Sequence, residues 1–241
     1  MNIVKNEPTE AFPYLPPSDD IRKKYSNIFD MEEPLKIGLP KLIFDKTLSL
    51  FFLVLSSPIM LVIKFAYFIE GLIIKENSGP VFFYYWAISS GKKIKKWKIR
   101  LIKEKYIDKE KAKNHEWLAY AAEWNSDSRT YVGAFVKKWY LDELPQFWSI
   151  FKGDMSFVGP RPLSELHYKR DLNQGNVSRR LIRGGLLGLG HINKGTEEMG
   201  NPLYEYEYID QCLKRNSLSI LLLDIYVIFE GLKLVLKGGG Y

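Results

Sequence analysis

Two adjacent carboxylates, Asp142 and Glu143, stand directly before a Leu-Pro step and a run of helix-forming residues. An acid followed by a first-turn proline marks a helix start, and the amides of a helix N-terminus stabilise and pre-position anions. A carboxylate so placed could act as a nucleophile with its neighbour as partner, although plain helix capping accounts for the same two residues. A carboxylate attacking a phosphoryl group meets like charge, so the site needs a divalent cation and several lysines or arginines. The chain supplies them. Lys96, Lys98 and Arg100 alternate with Trp97, Ile99 and Leu101, the period-two pattern of a strand with one basic face. Lys137 precedes the acids by five residues. Arg161 stands between Pro160 and Pro162, whose restricted backbone suits a bidentate grip on a diphosphate; a solvated surface turn is the plainer account. Lys92, Lys93, Lys95 and Lys96 read as a solvated or lipid-facing patch. The glycines at 184, 185, 188 and 190 lack the spacing of the known nucleotide loops, and His191 beside them reads as a structural histidine.

Composition narrows the class. A chain of 241 residues, 46% hydrophobic and 15% aromatic, can bury a sizeable core and reads as one compact domain. The single Cys212 excludes an intrachain disulfide, and one cysteine with the scattered His115, His167 and His191 excludes a Cys/His metal cluster, which points to a reducing compartment. The net charge of +7 is local: residues 91–113 hold eleven Lys or Arg against three acids, and the remainder is close to neutral. That distribution suits a patch facing anionic lipid or a phosphorylated substrate rather than nucleic acid. No cleavable signal is visible in the first forty residues, so the N-terminus is expected to stay in the cytosol.

The elements follow from pattern. Residues 1–37 are polar, with prolines at 8, 13, 16, 17 and 34, and predict an extension carrying at most one short helix near 21–29. Residues 47–63 are uncharged and apolar; as a helix of about 25 Å they fall short of the roughly 30 Å hydrocarbon core. Ser57 and Pro58 at the middle predict a kink, and serine hydroxyls can satisfy the carbonyls that a proline frees. Lys41 and Lys46 before the run and Lys64 and Lys75 after it give no charge bias for crossing, so a re-entrant, bent helix within residues 38–78 is expected; a buried core helix and an ordinary span remain alternatives. Residues 79–205 read as the catalytic domain, with strands at 81–86 and 97–101 and helices at 108–124 and 146–151. In the C-terminal segment 206–241, the apolar run 217–236 is interrupted by Asp224, Glu230 and Lys233 and predicts an interfacial helix. The fold class expected is a helix-rich α+β domain, monotopic on a membrane.

The block YLDELPQFWSIFKGDMSFVGPRPL at residues 140–163 resembles the hallmark block of the bacterial sugar transferases, the monotopic polyprenyl-phosphate sugar-1-phosphate transferases, almost continuously. Weaker resemblance extends over KLIFD at 41–45, Ser57-Pro58, SGPVFF at 78–83, KIR at 98–100 and RGGLLG at 183–188, so it covers about residues 40–236. It implies that Ser57 and Pro58 make the membrane helix re-entrant, and that Asp142 forms a covalent sugar-phosphoryl intermediate. It implies further that Glu143 positions Mg²⁺ or assists proton transfer, with Asp142 and Glu143 the metal-side residues. Pro160, Arg161 and Pro162 would hold the nucleotide, with Lys98, Arg100, Lys137 and Arg183 as phosphate-side cations. The implied partners are a UDP-sugar, polyprenyl phosphate and membrane lipid, with a homodimer left open; the implied location is the cytoplasmic face of a bacterial inner membrane. The chain departs from the family pattern at Tyr84, Trp86, Leu101, Ile102, Lys137 and Gly184, and its DSRT element at 127–130 is displaced. A catalytically degraded paralogue acting as a membrane scaffold is the rival reading.

Overall fold

A computed structural model of the chain describes residues 15–190 and 200–236. Pro8, Pro13 and His191 lie outside the described residues. The chain enters through two short helices, α1 (Asp19–Lys24), which Ser18 caps by accepting from the Ile21 amide, and α2 (Ser26–Phe29). Ile21, Tyr25 and Ile28 are buried in the main core, where Phe29 and Tyr206 stack at 4.7 Å. The second half of the expected extension is thus packed onto the body.

Helix α3 (Leu39–Ile73) is 35 residues long, about 52 Å at the α-helical rise, and twice the length that the apolar run alone indicated. It continues through Pro58 without interruption. The carbonyl that Pro58 leaves without an amide partner is that of Val54, four residues back, and the Ser57 hydroxyl donates to it at 2.9 Å. The expected repair by serine is therefore present, while the expected break is not displayed. The buried residues of α3 are Lys41, Asp45, Ser49, Ser56, Ile63, Tyr67 and Glu70, a stripe at helical spacing that runs along one face from end to end. The other faces carry exposed Leu50, Phe51, Val54, Leu61, Phe65, Phe68 and Leu72. The most apolar stretch is only 17% buried, whereas a core helix of a soluble protein is mostly buried.

Strands β1 (Phe82–Ser89) and β2 (Lys92–Ile99) form an antiparallel hairpin pairing Phe83 with Lys98 and Tyr85 with Lys96. The two-residue turn puts Ser90 at φ 53° and Gly91 at φ 70°, the doubly positive geometry that matches strand twist. Strand β4 (Leu163–Ser164) pairs with the free edge of β1, and β3 (Ser156–Val158) runs parallel to β5 (Gly185–Leu187).

The remaining helices are α4 (Lys109–Lys113), α5 (Tyr131–Lys138), α6 (Gln146–Lys152), α7 (Glu165–Asn173), α8 (Ser178–Leu181), α9 (Leu203–Lys214) and α10 (Ser217–Leu236). The single helix expected over 108–124 is not formed. After α4, His115 adopts φ 54°, which no right-handed helix can hold, and a 3-10 run over Trp117–Trp124 turns Trp117, Tyr120 and Glu123 into the interior. In α10 the interrupting Asp224 faces inward and is fully buried, while Leu218, Leu222, Ile225, Tyr226, Phe229 and Leu232 lie exposed. The inward face sets Asp224 between the buried Ile220 and Val227, and the outer face is apolar.

Candidate active site

The dyad sits in a 3-10 turn (Leu141–Glu143) ahead of α6, rather than in the first turn of α6 itself. Tyr140, just before it, takes the left-handed conformation at φ 54°, a sparsely populated state for a bulky residue that reverses the chain between α5 and the dyad. Asp142 is 1% exposed. Lys98 on the inner face of β2 brings its Nζ to 2.9 Å from Asp142 Oδ2 and donates to both oxygens of Glu123 at 3.4 Å. The approach to Asp142 is an ion pair without hydrogen-bond geometry, and neither Asp142 oxygen accepts a hydrogen bond from the described residues. Burial opposes charge on Lys98, but the Glu123 and Asp142 carboxylates outweigh it and hold its pKa above the usual lysine range. Lys137, on the last turn of α5 and stacked over Trp124 at 5.3 Å, also faces Asp142; burial draws its pKa down and the Asp142 charge opposes the shift.

Glu143 points to the other side of the turn. Arg161 Nη2 donates to its Oε1 at 2.6 Å, with the two side chains 27% and 17% exposed, so this pair forms the accessible rim of the site. Burial alone would raise the Glu143 pKa; Arg161, then Lys96 and Lys98, hold it well below the usual carboxylate range. The Pro160–Pro162 turn is fixed from three directions. Gly185 donates its amide to the Pro160 carbonyl at 2.9 Å, Arg179 Nε donates to the Arg161 carbonyl at 3.0 Å, and Lys96 Nζ donates to the Pro162 carbonyl at 3.3 Å. Arg179 is itself held by Asp171 and Glu205.

The structure therefore gathers Asp142, Glu143, Lys98, Lys137 and the turn bearing Pro160, Arg161 and Pro162. It does not bring Arg100 or Arg183 to them. Arg100, 1% exposed, donates to the carbonyls of Pro80, Asn77 and Ile102 at 2.6–2.9 Å and lies over the Tyr67 ring, which makes it a brace between β2 and the end of α3. Arg183 faces Asp45 and Asp154 instead. Two residues that the sequence reading left out belong to the site: Glu123, and Lys96, which was given to the solvated patch but is 1% exposed with its pKa depressed by burial and by Arg161. The alternation that aligned Lys98 with Arg100 already put Lys96 on their face, and Glu123 was a lone acid inside an aromatic run.

Two buried carboxylates, Asp142 and Glu123, and the half-buried Glu143 are ringed by lysine and arginine beside a strand hairpin and a long apolar helix, an arrangement whose charge suits phosphoryl groups. Residues 37–238 match the family described as bacterial sugar transferase, and the chain belongs to that family. It is 33% identical over 195 residues to the UDP-glucose:undecaprenyl-phosphate glucose-1-phosphate transferase of Klebsiella pneumoniae, covering 79% of this chain and 37% of that protein. Its identity to the protein of the same description from Escherichia coli K12 is 35% over 153 residues, 62% of this chain and 30% of the relative. The exopolysaccharide production protein ExoY of Sinorhizobium fredii is 30% identical over 216 residues, 85% of this chain and 89% of the relative. The chain thus spans only about a third of the length of the first two relatives and most of the third.

Proposed function

We propose that the protein transfers a sugar 1-phosphate from a UDP-sugar to polyprenyl (undecaprenyl) phosphate, releasing UMP. The observation that carries this reading is Asp142: a buried carboxylate paired with Lys98 whose two oxygens accept no hydrogen bond. A Cδ-bearing neighbour, Glu143, is by contrast occupied by Arg161. An Asp142 oxygen attacks the phosphorus that bears the sugar, a new P–O bond forms, and the bond to UMP breaks, leaving an aspartyl-phosphosugar. An oxygen of the polyprenyl phosphate then attacks the same phosphorus, the bond to Asp142 breaks, and polyprenyl-diphosphate-sugar leaves with the carboxylate restored.

Lys98 and Lys137 neutralise the phosphoryl oxygens as they approach Asp142. Arg161, at the accessible rim, exchanges Glu143 for the donor diphosphate, and the three bonds to the carbonyls of its turn hold the backbone that carries it. The unbonded oxygens of Asp142, with Glu143 alongside, would hold a Mg²⁺, which would supply positive charge to neutralise the donor diphosphate. The test is UMP release from a panel of UDP-sugars by detergent-solubilised protein with polyprenyl phosphate and Mg²⁺. Release that disappears in Asp142→Asn supports the reading; no release from folded protein across the panel turns the weight to the scaffold alternative.

The seating we propose is monotopic, on the cytoplasmic face of a bacterial inner membrane, where this would be the first membrane step of a surface glycan. Both ends of α3 are fastened to the same body. At one end Lys41 pairs with Asp224, and Asp45 accepts from the Ser156 hydroxyl and the Phe157 amide. At the other, Tyr67 donates to the Arg100 carbonyl, and Glu70 accepts from Asn77 and from the amides of Tyr131 and Val132. A helix crossing the bilayer would carry one end away from that body. Single cysteines at Lys36 and Lys75 should label from the same side; labelling from opposite sides would replace this seating with a span.

A further inference from the structure

A cavity of about 130 Å³ lies between the start of α3 and the α9–α10 junction, with Val158 of β3 in its wall. It has room for several water-sized groups, enough for a phosphate and too little for a nucleotide sugar. Lys36, Lys41, Arg183 and Arg215 line it, and no Asp or Glu does. Lys41 is engaged by Asp224 and Asp45. Arg183 is half-buried, with Asp45 and Asp154 facing it and its Nη1 without a hydrogen-bond partner, while Lys36 and Arg215 are exposed and, among the described residues, make no side-chain hydrogen bond or ion pair. Two exposed cations with no acid partner, beside the unbonded Nη1 of Arg183, give this one cavity a surplus of positive charge that draws an anion.

The backbone adds to the same field. The N-termini of α3 and α10 meet at the cavity, where Gly38 lies so close against Ser217 that a side chain at position 38 would collide with the serine. Gly38 gives α3 no side-chain cap, so partial positive charge from its first turn reaches the cavity. The level of the cavity indicates the source of the anion. Immediately beyond it both helices turn apolar side chains outward, Leu39 and Ile43 on α3 and Leu218 and Leu222 on α10, all more than half exposed. A basic cavity at the head of two lipid-facing helices stands at the depth of headgroup phosphates.

We propose that this cavity binds the headgroup phosphate of an anionic phospholipid and so fastens the heads of α3 and α10 to the membrane surface. The inference rests on the membrane-seated reading and is independent of the chemistry at Asp142. The test uses the full chain in neutral detergent with three probes, short-chain phosphatidylglycerol, short-chain phosphatidylcholine and inorganic phosphate. Binding is read as retained lipid by native mass spectrometry and as the shift in melting temperature. Phosphatidylglycerol is expected to bind and to raise the melting temperature more than phosphatidylcholine, and Lys36→Ala with Arg215→Ala is expected to weaken its binding at least tenfold while UMP release in neutral micelles is unchanged. If the double variant fails to fold, Arg215→Gln alone should weaken phosphatidylglycerol binding about threefold or more. Equal binding by wild type and variant overturns the site. Equal binding of the two lipids overturns the anionic headgroup, and a shift with inorganic phosphate but none with either lipid overturns the lipid source. Normal UMP release with no lipid effect sinks this inference alone, and lipid selectivity without any UMP release sinks the transfer reading alone.

Discussion

Lys41 and Lys98 are both buried between two carboxylates, yet the two clusters are finished differently. Around Lys41, Asp45 accepts from the Ser156 hydroxyl at 2.7 Å and from the Phe157 amide at 3.3 Å, and Asp224 accepts from Lys41 and from the Tyr208 hydroxyl, the latter at 2.6 Å. Its carboxylates are saturated. Around Lys98, Glu123 is hydrogen-bonded but Asp142 accepts nothing. Full hydrogen bonding makes a buried ion cluster a rigid joint, here between α3, α10 and β3. Leaving one carboxylate paired in charge but unbonded keeps its lone pairs available to an electrophile. Burial and charge pairing are common to the two clusters; the hydrogen-bond count is what separates them.

Substitutions can break or sharpen that contrast. The largest effect is expected from Asp142→Asn, which should lower UMP release by about three orders of magnitude or more while the melting temperature stays within about 3 °C, because Glu123 still balances Lys98. Normal turnover in that variant would falsify the nucleophile assignment. Lys98→Met should destabilise the fold by about 3–5 kcal/mol, as it strands Glu123 and Asp142 without their cation; denaturant unfolding measures it, and a neutral result would mean that the pair does not persist in solution. Asp224→Ala should cost about 3 kcal/mol of stability by stripping Lys41 of its nearer acid, yet leave UMP release per folded molecule within about twofold. Loss of turnover in well-folded Asp224→Ala would show that the joint takes part in the chemistry. Tyr208→Phe removes one bond from the saturated cluster and should lower stability by about 1 kcal/mol, seen as a small shift in the unfolding midpoint.

Much of this was legible in the chain. The strands expected at 81–86 and 97–101 followed from alternation, although β2 begins earlier, at Lys92; α10 followed from its apolar run, and the dyad and Arg161 stood out as candidates by residue type and spacing. What alternation does not reveal is which face of a strand is buried: the basic face of β2 turned inward, so Lys96 joined the site. Nor does it reveal what each basic residue reaches. Arg100 shares that face, but the carbonyls of Asn77 and Pro80, in the connection after α3, and of Ile102 lie within its fork, and it braces instead of binding. Arg183 sits in a loop whose direction is set by the pairing of β3 with β5, long-range in sequence and absent from any local pattern. The helix expected over 108–124 failed for a similar reason, since local propensity lost to the burial of Trp117, Tyr120 and Glu123.

The two-ended fastening of α3 also bears on how the molecule reaches its membrane. On the monotopic seating, no charged loop has to be carried through hydrocarbon, and the 3-10 turn at Lys75–Asn77 stays on the side where it was made. Insertion is then a folding event at a surface rather than a translocation. On that seating the apolar helix and the body would close against one another along the stripe from Lys41 to Glu70 as the outer face of the helix enters a single leaflet.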